Sequence, residues 1–202
     1  MKYSLAAAIV TIVGLAKLAS PVEATAITFT NNCNFAVYYH HVWHEGEDPQ
    51  VYVIAPNGGE SSQTMIEPYD DNQRNGSVIK LHKGAGLTSG ILQFEYTKEY
   101  DSAARFPGVY WDLSHVDGDS PGVPGRSPFR DDNVMAIPIG AGRGVGSCVD
   151  VFCEAGEICY GSYQFDKDDV KCRYCPLELD SFEVEFCPIG NGARKRGLEF
   201  SA

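Results

Sequence analysis

Ile91-Leu92-Gln93-Phe94-Glu95-Tyr96-Thr97 alternates apolar and polar side chains. Leu92, Phe94 and Tyr96 point one way, and Gln93, Glu95 and Thr97 the other. A period of two is the mark of a strand with one buried face. Val109-Tyr110-Trp111-Asp112-Leu113 repeats it, with Val109, Trp111 and Leu113 on one face. Further out, Phe29 to Cys33 leads into a second alternating run, Phe35-Ala36-Val37-Tyr38-Tyr39. Val51 to Ile54 stops at a turn cluster, Pro56-Asn57-Gly58-Gly59. Val78 to His82 follows Asn75-Gly76, and Phe182 to Phe186 closes the set. Gly118 to Gly146 is rich in Gly and Pro and reads as loop. No stretch sustains a helical period, and there are no repeats. Many short strands at near-regular spacing predict an all-β sandwich or barrel.

The chain has 202 residues and a formal net charge of -11. That length suits one domain with a sizeable core. An acidic chain has no electrostatic reason to seek nucleic acid or anionic lipid, so the expected partners are neutral or basic. Lys2, the uncharged run Leu5 to Leu15 and the small-residue offsets of Val22-Glu23-Ala24 read as a signal peptide over residues 1–24. Nothing else in the sequence is apolar for long enough to span a bilayer. The reading is therefore a secreted protein, extracellular or in a cell wall. It has one domain over 25–190 and a polar tail over 191–202, where Lys195-Arg196 resembles a dibasic processing site.

All seven cysteines lie beyond the leader, and secretion makes disulfides the default. Seven is odd, so one thiol is free or pairs with another molecule. Cys172-Arg173-Tyr174-Cys175 has the spacing of a zinc half-site but no second pair to complete it. Gly140 to Gly146 lacks the Gly-Lys-Ser/Thr ending of a phosphate cradle and reads as a connection. His40, His41, His44 and Glu45 are candidate metal ligands. On one strand His40 and His44 stand too far apart to share an ion, so no metal and no cofactor is expected. Asn75-Gly76-Ser77 is an N-glycosylation acceptor on a turn.

Six blocks in order resemble the thaumatin-like family. Asn31-Asn32-Cys33-Asn34-Phe35-Ala36-Val37 resembles its opening strand, and Gly58 to Ser61 leading to Ile66-Glu67-Pro68 its second hairpin. Leu92 to Thr97 resembles the strand that carries the family's cleft glutamate. Tyr110-Trp111-Asp112-Leu113-Ser114-His115-Val116-Asp117-Gly118 resembles the Tyr-Asp-Ile-Ser-x-Val-Asp-Gly block. Cys148 and Cys153 keep a family cysteine spacing, and Ser181 to Pro188 resembles the closing strand. The resemblance implies a thaumatin-like β-sandwich with disulfide-bonded loops, a monomer. The large disulfide-rich lobe of plant members is mostly missing, and in this the chain is similar to small fungal secreted antigens, including yeast-phase-specific proteins. The implied pairings are Cys33–Cys187, Cys153–Cys159 and Cys148–Cys175, with Cys172 the free thiol. Cys172 could equally replace Cys175, because loop lengths do not decide between them.

The resemblance also implies an acidic cleft of four carboxylates and one basic residue. Glu95, Asp112 and Asp117 match three of the carboxylates. At the fourth position, two residues after Cys159, stands Gly161. Lys80 and His82 fall near the family arginine, and neither has its planar fork. Alternation turns Glu95 and Asp112 away from the core, where neighbouring strands could present them together. Clustered carboxylates accept hydrogen bonds from sugar hydroxyls, or serve a glycosidase as proton donor and base. The expectation is a non-enzymatic binder of cell-wall β-1,3-glucan through Glu95, Asp112, Asp117, Lys80 and His82. The alternatives are a weak endo-β-1,3-glucanase with Glu95 as proton donor and Asp112 or Asp117 as second carboxylate, or an antigenic or virulence protein that engages a host extracellular protein.

Overall fold

A computed structural model describes residues 25–43, 46–66, 76–85, 90–100, 106–117 and 127–189. The expected leader, His44, Glu45, the acceptor Asn75 and the tail from residue 191 lie outside them. The twelve strands are β1 (Ala26–Asn31), β2 (Val37–Trp43), β3 (Gly46–Glu47), β4 (Tyr52–Ile54), β5 (Gly59–Thr64), β6 (Ser77–His82), β7 (Leu92–Glu99), β8 (Gly108–Ser114), β9 (Val134–Gly140), β10 (Val151–Cys153), β11 (Arg173–Cys175) and β12 (Leu179–Phe186). One 3-10 turn, Asp169–Lys171, is the sole helical element among the described residues. The all-β sandwich expected from the sequence is the architecture observed. One sheet runs β10-β9-β12-β1-β5; the other runs β11-β8-β7-β6-β2-β3, with β4 also on β2.

The inward residues of the alternating strands make the core. Phe182 of the first sheet packs on Phe94 and Trp111 of the second, with ring centroids 5.3 and 5.0 Å away. Phe29 meets Tyr39 across the same interface at 5.0 Å. All five rings are fully or almost fully buried. Each such side chain contributes roughly 1.5–3 kcal/mol by leaving water, and each well-placed ring pair about 0.5–1.5 kcal/mol more. The buried Tyr39 hydroxyl is satisfied by Ser61 Oγ at 2.8 Å. β1 and β12 run parallel, which brings the first and last strands of the domain side by side. Cys33 bonds Cys187 just beyond the ends of that pair; Cys148 bonds Cys175, Cys153 bonds Cys159, and Cys172 keeps a free thiol.

The reading of Gly118 to Gly146 as loop needs correction. Val134–Gly140 is strand β9, between β12 and β10. Residues 134–138 are all buried, so β9 lacks the alternation that betrays a one-sided strand. Pro138 is tolerated because β10 pairs only with residues 134–136, leaving that flank of β9 open where the proline falls. Beyond β9, Gly140 to Gly146 folds into tight turns closed by Arg143 N–H to Gly140 O and Val145 N–H to Gly142 O.

Asn31 ties the opening segment together. Its Nδ2 donates to Phe35 O at 2.7 Å and Ile54 O at 3.2 Å, and its Oδ1 accepts from Cys33 N–H at 3.1 Å. Asn31→Ala strands these buried backbone groups, each costing about 1–3 kcal/mol when left unpaired. A loss of about 2–3 kcal/mol in urea unfolding is expected; a loss within error of zero would mean the backbone finds other partners.

Candidate functional site

The outward face of the seven-stranded sheet carries side chains in rows, because directly paired residues share a face. One row is His40–Lys80–Gln93–Ser114, and the next is Val42–Val78–Glu95–Asp112. Glu95 and Asp112 stand directly opposite one another on β7 and β8. Burial, with the Glu95 charge and hydrogen bond behind it, pushes the Asp112 carboxyl up to about 8. Asp112 is 8% exposed and Glu95 half-buried, so Glu95 is the open member of the pair. Gln93 Nε2 donates to Glu95 Oε1 at 3.1 Å. Asp112 Oδ1 and Gln93 Oε1 are buried acceptors without a protein donor.

A small lobe walls this row on one side. Tyr163 bridges to Ser114, with Tyr163 N–H donating to Leu113 O and His115 N–H to Tyr163 O, both at 2.9 Å. β11 pairs Arg173 with Trp111, which brings the Cys172 thiol alongside Asp112. Burial and then the Asp112 charge push the Cys172 thiol up, and the same two causes raise the Tyr163 phenol. The thiol is therefore a poor nucleophile at neutral pH.

Four of the five candidate residues lie on this face, and they do not form one cluster. Lys80 sits one row from Glu95, next to Gln93. His82 lies two rows away, fully buried, with Nδ1 against Gly84 O and its ring 6.0 Å from Tyr38 and 5.9 Å from His40. Asp117 is exposed in the turn beyond β8. The cation that acts on Asp112 is Arg173, which lowers the carboxyl against the pull of burial. It lies over the Trp111 ring at 5.6 Å, and its Nη2 would stand 3.4 Å from a Cβ on Gly161. Arg173 thus fills the space beside the position where the family's fourth carboxylate would stand. The sequence alone gives no sign of Arg173, because it stands inside Cys172–Cys175, whose spacing carries redox and zinc readings instead.

His40, His41 and His115 serve the frame. His40 Nε2 meets Glu47 Oε1 at 2.8 Å, and His41 Nε2 meets Tyr96 OH at 3.0 Å. His115 Nδ1 meets Ser162 Oγ at 2.8 Å. Among the described residues, the one group with metal-like spacing is Cys33, Asp132 and Cys187, whose sulfurs are spent in the disulfide.

At the β11 edge, next to the carboxyl row, lie three aromatic rings. Tyr174 is 5.4 Å from Tyr110 and 6.2 Å from Phe106, centroid to centroid.

Comparison with known proteins places the chain in context. The family model described as Bys1, Blastomyces yeast-phase-specific protein, matches residues 12–187. Among solved structures, the chain is similar to the protein elicitor MoHrip2 from Magnaporthe oryzae. That match has 25% identity and a TM-score of 0.59, over 82% of this chain and 100% of that one. It is also similar to the thaumatin-like xylanase inhibitor TLXI at 12% identity and a TM-score of 0.44, over 80% of this chain and 99% of that one. No curated protein matches the sequence.

Proposed function

The chain belongs to the Bys1, Blastomyces yeast-phase-specific protein, family, and from that premise we propose that it is a secreted, non-enzymatic protein that binds cell-wall β-1,3-glucan on the outward face of its larger sheet. The observation that carries this reading is the Glu95–Asp112 pair, one carboxyl open and the other held protonated beside it. Such a pair both accepts hydrogen bonds from hydroxyl groups and donates one, as a neutral polyol requires. The acidic charge of -11 disfavours a polyanionic ligand. The three disulfides suit an oxidising compartment. Among the described residues no helix is long and apolar enough to cross a membrane.

Geometry speaks against hydrolysis by this pair. Glycosidase carboxyl groups stand about 5–5.5 Å apart when retaining and about 6.5–9.5 Å apart when inverting, leaving room for the sugar or a water. A hydrogen bond to Glu95 is among the causes that raise the Asp112 carboxyl, and it needs the two groups closer together than either spacing.

Retention on insoluble β-1,3-glucan tests the reading. The wild type is expected to bind without releasing reducing sugar, and Glu95→Gln/Asp112→Asn to bind at least tenfold more weakly, the loss of one or two charge-assisted hydrogen bonds. No retention of the wild type at any salt concentration overturns it.

A second reading rests on the similarity to a protein elicitor along that chain's whole length: an extracellular protein that engages a protein partner. Given the acidic charge, such a partner would be basic, and its capture would weaken with salt whereas sugar binding would not.

A further inference from the structure

We infer that Phe106, Tyr110 and Tyr174 form a second sugar subsite continuous with the Glu95–Asp112 pair, so that the ligand is a chain of several glucosyl residues and not one sugar or its end. The inference rests on the glucan-binding reading and adds the length of ligand that the face takes.

Three observations support it. First, the rings are fixed before any ligand arrives. Tyr110 Oη donates to Phe106 O at 2.8 Å, and Tyr174 Oη donates to Pro107 O at 2.9 Å. Both hydroxyls bond backbone, so the rings cannot swing away, and little side-chain entropy remains to be lost on binding. Second, the backbone makes room for them. A Cβ on Gly108 would lie 2.3 Å from Tyr174 Cε2 and 2.9 Å from its Cζ, so only glycine there lets the Tyr174 ring lie across β8. Third, the position is continuous with the carboxyl pair and open. Thr97, Tyr110 and Tyr174 form the row next to Glu95 and Asp112, roughly 7 Å along the strands. Phe106 is 54% exposed, an unusual state for a ring held in a cluster. Beyond that row the Phe106 ring stands 6.2 Å from the Tyr174 ring, so the face extends past the reach of one sugar bound at the carboxyl pair.

The chemistry is complementary. A glucosyl ring presents axial C–H bonds on its faces and hydroxyls around its edge. Aromatic faces take the first, and the carboxyl pair takes the second.

The test is affinity for soluble β-1,3-gluco-oligosaccharides of two to seven residues, by calorimetry. Wild type is expected to gain affinity with length until the face is filled. Phe106→Ala should lose about tenfold for the longest oligosaccharide, the worth of one ring contact, and bind the disaccharide as wild type does. Phe106→Trp, which keeps a ring, should restore the gain. Glu95→Gln should lose affinity at every length. If Phe106→Ala binds the long oligosaccharide as tightly as wild type, the subsite is wrong and the carboxyl reading stands. If wild type binds no length at all, both fall.

Discussion

Replacing Cys33 and Cys187 with serine lowers the stability of the protein more than removing either other disulfide. The two cysteines are 154 residues apart, against 27 for Cys148–Cys175 and 6 for Cys153–Cys159. In the chain-entropy description, closing those loops in the unfolded chain is worth about 5, about 3.6 and about 2.2 kcal/mol, with measured values often smaller. About 5 kcal/mol rivals the whole stability of many domains of this size. The bond also stands where the fold depends on distant contacts. It lies just past the Asn31–Phe186 register pair, at the end of the parallel β1–β12 ladder. That ladder is central in its sheet, and β9 and β5 both build on it. Urea unfolding of Cys33→Ser/Cys187→Ser should show a loss of about 4–5 kcal/mol. A loss below about 1 kcal/mol would mean that the unfolded chain already keeps its two ends together.

The sequence makes β2, β4, β6, β7 and β8 of the seven-stranded sheet legible, but not the short edge strands β3 and β11, and the five-stranded sheet only in part, for a physical reason. β7 and β8 cover the core with one face and the carboxyl row with the other, so Phe94 and Glu95, or Trp111 and Asp112, alternate as a one-sided strand must. β9 is buried on both faces at 134–138 and contains Pro138, so its pattern is a plain apolar run with a breaker in it. β5 fails in the opposite way. Gly59-Glu60-Ser61-Ser62-Gln63-Thr64 has no apolar residue and is a strand because β1 offers it a ladder. Tertiary context decides both.

The site divides along similar lines. Period-two reading brings Glu95 and Asp112 to one face, and their direct opposition follows from the β7–β8 register. It cannot see that the small lobe folds back over that row, which buries Asp112 and sets Arg173 beside it. It likewise gives no reason to join Phe106, Tyr110 and Tyr174, because β11 reaches β8 only through the chain's return after a long loop. The disulfide partners follow from the family resemblance, since spacing alone leaves Cys172 and Cys175 interchangeable.

Stability should peak near pH 6.5 and fall on both sides, with Asp112 responsible for the alkaline limb. The folded protein holds the Asp112 proton up to about 8, whereas the unfolded chain releases it at 3.8. Between those values the folded state carries the extra proton, so raising the pH favours unfolding by up to about 1.4 kcal/mol per pH unit. The contribution is complete below the unfolded value and gone above the folded one. Burial acts oppositely on the histidines. It holds His41 and His115 down to about 4 from 6.5, and lowers His40 and His82 as well. Below pH 6.5 the unfolded chain takes up these protons and the folded one does not, so acid favours unfolding. Several histidines outweigh one carboxyl there, and the net slope turns over near their unfolded value. Asp112→Asn keeps the shape and a donor for Glu95 while removing the titration. It should therefore be more stable than wild type at pH 8 and lose that advantage towards pH 5. Urea midpoints of both proteins at pH 5, 6.5 and 8 measure this. Parallel curves across that range would mean that Asp112 is ionised in the folded protein, and the reading of the Glu95–Asp112 pair as both donor and acceptor to a sugar would go with it.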